Sequence, residues 1–130
     1  MFSLEQIKTA HSKMKSGADF PIYINDITQL GVIGYETYVS DGHTVYYGEN
    51  NFKTSNVATY DTLTISQETN ADQFKRDLKA HQQGLTNYTT FCKDCATSGI
   101  EKWTVIMDKM TCTYYDKSGN EILVENVPTP

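Results

Sequence analysis

Long apolar stretches are missing from this chain. No run of 18 or more apolar residues occurs in its 130 residues, which excludes a membrane-crossing helix of the usual length, so no membrane partner is expected. The common catalytic signatures are missing too: there is no G-x-S-x-G elbow, no glycine-rich phosphate loop and no H-E-x-x-H pair. No reaction can be named on such a sequence, and no cofactor is expected. Basic residues are scarce over nearly half of the chain. Between Ser16 and Phe74, eight acids (Asp19, Asp26, Glu36, Asp41, Glu49, Asp61, Glu68 and Asp72) stand against one base, Lys53. A phosphate backbone would be repelled by that half and by the net charge of −5, so no nucleic-acid partner is expected either. Cysteines number three, an odd count, and the first residues, Met1-Phe2-Ser3-Leu4-Glu5, have neither the basic start nor the apolar core of a secretion signal. Both features point to a reducing, cytoplasmic setting.

What the sequence does contain is a match to itself. At an offset of 68, residues 20–47 fall on residues 88–115 without a gap, so that Asp26 meets Asp94, Gly31 meets Gly99 and Tyr46-Tyr47 meets Tyr114-Tyr115. Phe20/Tyr88, Tyr23/Phe91, Val32/Ile100 and Tyr35/Trp103 are like for like, and Ala10-His11 meets Ala80-His81 after a two-residue slip. The expectation is one α+β domain over residues 1–130, made of two repeats, about 3–66 and 70–127. Each repeat reads α-α-β-β-β, and a pseudo-two-fold relates them, with antiparallel sheet covered by helices.

Local signals fill in each copy. Ser3 and Gln6 have capping-box spacing, and Leu4, Ile7, His11 and Met14 form a helical stripe that Gly17 is expected to end. Pro21 suits the first turn of a second helix, whose stripe of Phe20, Tyr23, Ile24, Ile27 and Thr28 closes at Gly31. In the second copy, Thr69 or Asn70 caps a helix with a stripe of Phe74, Leu78 and His81. A further stripe of Tyr88, Phe91, Cys92, Cys95 and Ala96 closes at Gly99. Asp41-Gly42 reads as a two-residue hairpin turn, placing Thr37 opposite Tyr46 and Val39 opposite Thr44. By the repeat, Lys109-Met110 is the equivalent turn, opposing Met107 to Cys112 and Trp103 to Asp116. Third strands are expected over residues 59–66 and 121–127. Alternation puts Tyr35, Thr37, Val39, Thr44 and Tyr46 on the core side with Trp103, Val105, Met107, Cys112 and Tyr114. Glu36, Tyr38, Ser40, His43, Val45 and Tyr47 are left on the outer face.

Three groups of residues could carry chemistry. Cys92-Lys93-Asp94-Cys95 has the spacing of a redox or metal motif, but the repeat lays Cys92 on Ile24 and Cys95 on Ile27, so both are expected as free core thiols, with Cys112. His11 and His81 are equivalent positions. They are either core histidines satisfied by backbone or by Asp26 and Asp94, or the walls of a shared cleft that binds a ligand or moves a proton. A metal would need more ligands than the two of them, and only His43, beside a turn, remains, so no metal site is expected. The outer face of the first hairpin, with Tyr38, His43 and Tyr47, is more aromatic than solvation requires and suits partner contact unless an element such as Pro128-Thr129-Pro130 covers it. The binding residues expected are therefore Tyr38, His43, Tyr47, His11 and His81. The function expected is a small binding or regulatory module receiving a small molecule or a protein, with a homodimer among the assemblies the sequence allows. The alternatives are a small enzyme built on a His11/His81 cleft and a phage-derived structural or assembly protein. A concave pocket holding both histidines would speak for an enzyme, and a flat tyrosine patch for partner binding.

The segments Lys15-Ser16-Gly17-Ala18-Asp19-Phe20-Pro21, Tyr35-Glu36-Thr37-Tyr38-Val39-Ser40-Asp41-Gly42-His43-Thr44 and Thr111-Cys112-Thr113-Tyr114-Tyr115-Asp116 give the chain its resemblance to a known family. It resembles the bacterial domain-of-unknown-function family number 1398, some members of which are labelled "phage envelope protein". The resemblance covers nearly the whole chain and implies no activity, cofactor or functional residue. A phage envelope role sits poorly with a chain that has no membrane anchor. Alanine in the family at the position of Cys95 agrees with a packing role for that thiol.

Overall fold

The computed structural model describes residues 2–15 and 17–128. Helix α1 (Leu4–Ser12) starts at the expected capping box: the Ser3 hydroxyl accepts from the Gln6 amide at 3.2 Å, and the Ser3 amide donates to the Gln6 side chain at 2.9 Å. It ends at Ser12, earlier than Gly17, which instead opens a short 3-10 turn (Gly17–Asp19) leading into α2 (Phe20–Leu30). Pro21 sits in the first turn of α2 and Gly31 caps its end with φ 107°. Helix α3 (Ala71–Gln82) is capped by Asn70 and α4 (Tyr88–Thr97) by Asn87, whose side chains accept from Gln73 and Thr90 amides at 3.1 and 2.8 Å.

The strands are β1 (Val32–Tyr38), β2 (Thr44–Gly48), β3 (Lys53–Ser55), β4 (Ile100–Ile106), β5 (Thr111–Asp116) and β6 (Glu121–Asn126). They form one antiparallel sheet in the order β3-β2-β1-β4-β5-β6, so each run of three is a meander and β1 joins β4 at the centre. The fold is α+β, with the helices packed on one face. Burial alternates as expected. Tyr35, Thr37, Val39, Thr44 and Tyr46 are buried with Trp103, Val105, Met107, Cys112 and Tyr114, against Ile24, Ile27, Phe74 and Phe91 of the helices.

Three expectations need correction. Both hairpins are displaced by two residues: Thr37 pairs with Thr44 and Tyr35 with Tyr46, and in the second hairpin Val105 pairs with Cys112 and Trp103 with Tyr114. Neighbouring strands cause the shift. The Val39 amide donates to the Glu101 carbonyl (2.9 Å) and the Met107 amide to the Ile33 carbonyl (3.1 Å), so neither is free to extend its own hairpin. The loops lengthen accordingly, and Met110 takes φ 50° where the second has no glycine. A shift of two leaves every side chain on its assigned face. Second, residues 59–66 form no strand. Asn50 and Asn51, both at positive φ, turn the chain directly into β3. The segment that follows bonds to loop and helix-end carbonyls instead: Thr59 to Asp41, Leu63 to Ser40 and Ser66 to Ala96. It lies so close over the first hairpin that a Cβ on Gly42 (φ 77°) would stand 2.6 Å from the Tyr60 ring. Third, Thr28 of the α2 stripe is exposed, its hydroxyl donating back to the Ile24 carbonyl at 2.7 Å.

Candidate functional site

Between the helices and the inner face of the sheet lies a cavity of about 430 Å³. Its floor is aromatic because the strands present Tyr35, Tyr46, Trp103 and Tyr114 on that face, beside Thr37 and Thr44, whose hydroxyls meet at 2.9 Å. Its roof comes from all four helices, through His11 of α1, Tyr23 of α2, His81 of α3 and Tyr88 and Phe91 of α4. Glu125, Asn126, Val127 and Pro128 at the end of β6 form one rim. The Gln82 amide donates across to Glu125 at 2.9 Å, linking α3 to that rim.

The two sequence-equivalent histidines therefore do line one cleft, but in different settings. His81 is 8% exposed, its ring stacked on Phe91 at 4.4 Å and 7°, with Nδ1 3.1 Å from the Thr86 carbonyl. Backbone satisfies it, as one of the expected readings has it, while Asp94 acts on it only through its charge. Gly17 makes this packing close: a Cβ there would stand 2.8 Å from the imidazole, so the residue expected as a helix stop is needed for approach. His11 is exposed rather than a core residue, and its ring sits edge-on to Tyr23 (5.3 Å, 89°) and Tyr88 (5.7 Å, 82°). Loss of hydration lowers the pKa of both imidazoles, in His11 through the Tyr23 and Tyr88 rings that cover part of an otherwise exposed side chain. For His81 it outweighs the opposing pull of the Thr86 hydrogen bond and of Asp94.

The remaining lining is neutral. Burial raises the phenols of Tyr35, Tyr88 and Tyr114 well above the ordinary tyrosine range and also raises Tyr23 and Tyr46, whose hydroxyls interact. Burial pushes the Cys112 thiol up to about 12. These groups are hydrogen-bonding neutral species, and the thiol is no nucleophile at ordinary pH. Cys92 and Cys95 are free and buried, and burial raises both thiols, which fits packing. Among the described residues no group of three His, Cys, Asp or Glu could hold a metal ion.

Tyr38, His43 and Tyr47 lie on the opposite face of the sheet, away from both cavity histidines. Neighbours occupy much of the polar surface of Tyr38 and His43. His43 stacks on Tyr38 at 4.6 Å and 6°, its Nδ1 2.6 Å from Asp41, and the Tyr38 hydroxyl donates to Glu36 at 3.0 Å. Lys102 reaches Glu36 at 3.3 Å and stands over the Tyr38 and Tyr115 rings. Burial alone would raise the Asp41 carboxyl, but hydrogen bonds from the His43 backbone and ring hold it below the usual range. Val127 is buried and Pro128 lines the cavity, so this part of the tail runs to the inner side, and Thr129 and Pro130 lie outside the described residues. The five expected binding residues thus fall in two places. Sequence reasoning did not place the inner tyrosines or Glu125 around a cavity, having assigned the tyrosines to core, where Tyr35, Tyr46 and Tyr114 are indeed buried. The available signal was their number, since hydroxyls crowded on a core face need partners or open space.

No helix among the described residues is long and apolar enough to cross a membrane. No curated protein matches the chain. The family model described as "Protein of unknown function (DUF1398)" matches residues 8–126, nearly the whole length, and the chain belongs to that family.

Proposed function

We propose that the protein is a small-molecule-binding module whose ligand occupies the cavity between the helix layer and the sheet. The observation that carries this reading is a space of about 430 Å³, within the range of ligand sites, between the helix layer and the sheet, lined by aromatic rings with a few polar groups converging on it. A core packed only for stability would fill such a space. The outer tyrosine face is the weaker candidate, because its Tyr38 and His43 are tied to each other and to Glu36 and Asp41. Native mass spectrometry of protein purified from its host is the test. A co-purifying small molecule released on unfolding, and shared by Trp103→Phe but not by a cavity-filling variant such as Thr37→Phe, is the expected result. Ligand-free protein whose Trp103 fluorescence no metabolite extract alters would overturn it.

One observation favours a second reading. Both histidines line the cavity, the arrangement an enzyme moving a proton between His11 and His81 would use. Turnover of a cavity ligand that ceases in His81→Gln with binding retained would select this reading over simple capture.

The two halves are, in this reading, copies of one α-α-β-β-β unit, residues 3–66 and 70–127. The central pairing supports it: Glu36 faces Thr104, its equivalent at an offset of 68, and the bonds from Val39 to Glu101 and from Met107 to Ile33 exchange under the same offset. Burial of three free thiols agrees with a reducing, cytoplasmic setting.

A further inference from the structure

We propose that the cavity takes up an organic cation, an ammonium group bearing alkyl or aryl substituents, held against the tyrosine and tryptophan rings with Glu125 at the mouth. This deepens the ligand-binding reading above and rests on it. The charge inventory of the lining is one-sided. No lysine or arginine is among the described residues that line the cavity, and its phenols and its one thiol are neutral. Loss of hydration keeps both imidazoles from gaining charge easily. Among the described residues Glu125 is the one carboxylate in the lining. It is half-buried, and its partner is the uncharged Gln82 amide at 2.9 Å, so its charge is not neutralised by an ion pair among the described residues.

The walls suit a cation as well. Tyr88 meets Trp103 at 87° and Trp103 meets Tyr114 at 51°, so neighbouring rings form angled walls around a concavity instead of a flat stack. Electron-rich ring faces at such walls attract an alkylammonium ion that is too weakly hydrated to resist entry. Two helix starts, Phe20 of α2 and Tyr88 of α4, border the cavity and would by themselves favour an anion. Each start lacks one donor, although Asp19 places no side-chain cap on α2. Asn87 occupies the Thr90 amide, and Pro21 has no N–H to offer.

Three probes of one shape separate the charge classes: choline, neutral 3,3-dimethylbutan-1-ol and anionic 3,3-dimethylbutanoate, titrated while the Trp103 indole is followed by NMR and fluorescence. Trp103 is the single tryptophan and lines the cavity, so it reports occupancy directly. Choline is expected to bind about tenfold more tightly than the alcohol, and the carboxylate more weakly than either. Glu125→Gln should reduce the choline preference about threefold with alcohol binding unchanged, and Tyr38→Ala on the other face should leave all three alone. Equal binding of choline and alcohol, or preference for the carboxylate, would overturn the cation assignment and leave the cavity reading standing. Silence of Trp103 toward all three, confirmed with the larger benzyltrimethylammonium, would overturn the cation assignment, and the native mass spectrometry and metabolite-extract test above would then decide the cavity reading.

Discussion

The two faces of the central sheet carry comparable numbers of tyrosines and use them in opposite ways. On the outer face Tyr38 is sandwiched by His43, bonded to Glu36 and covered by Lys102, so a network consumes its polar and π surface. On the inner face Tyr35, Tyr46 and Tyr114 line a cavity that Tyr88 of α4 closes from the helix side. Aromatic density by itself therefore does not mark a site. What matters is whether the rings' neighbours leave room for something else.

The comparison breaks most easily at Trp103. Trp103→Ala should cost about 3–5 kcal/mol of stability and abolish uptake in the cavity, because the ring packs against Phe91, Tyr88 and Tyr114 at once. Chemical denaturation measures the loss, and a change under 1 kcal/mol would mean the inner face is not the structural centre. Next, Cys92→Ala with Cys95→Ala should cost roughly 1–3 kcal/mol through lost packing, with cavity binding retained. Thiol reagents should label both slowly in the native protein, and rapid labelling would contradict their burial.

Acidity sharpens the comparison from another side. Both cavity imidazoles have folded pKa values below 6.5, so between those values and 6.5 the unfolded chain binds more protons. Their contribution to stability is present above pH 6.5 and is lost as pH falls through the folded values. Melting curves from pH 7.5 to 5 should show this decline, and His81→Gln should flatten it; an equally steep decline in the variant would assign the effect elsewhere. The smallest effect belongs to the outer face. Tyr38→Ala should change stability by no more than about 1 kcal/mol, the scale of cross-strand pairs, and leave Trp103 fluorescence as it was. A large loss there would show that this network holds the sheet together.

Much of the fold was legible because it is written in local signals. The capping box at Ser3, the Gly31 cap and the alternation along both hairpins each depend on a few neighbouring residues, and each appears as read. The hairpin registers were not legible, since Val39 and Met107 are claimed by carbonyls 62 and 74 residues away in sequence, at Glu101 and Ile33. Nor was the missing strand over residues 59–66. Its alternating pattern competes with the turn at Asn50-Asn51, which sends the chain into β3 first. The candidate site was half legible: the alignment of His11 with His81 in the sequence pointed to a shared cleft, but no pattern of residue types tells a filled core from one with a hollow in it.

The β1–β4 junction also orders events in time. Each meander closes between strands near in sequence, whereas the junction brings together residues such as Glu36 and Lys102, 66 positions apart. Closing so long a loop costs chain entropy that only the completed sheet repays. The hairpins should therefore gain protection in pulsed hydrogen exchange before the β1–β4 bonds do, and simultaneous protection would contradict that order. Because the cavity takes its walls from both sides of this junction, a nascent chain would have no closed cavity until the last strands had left the ribosome.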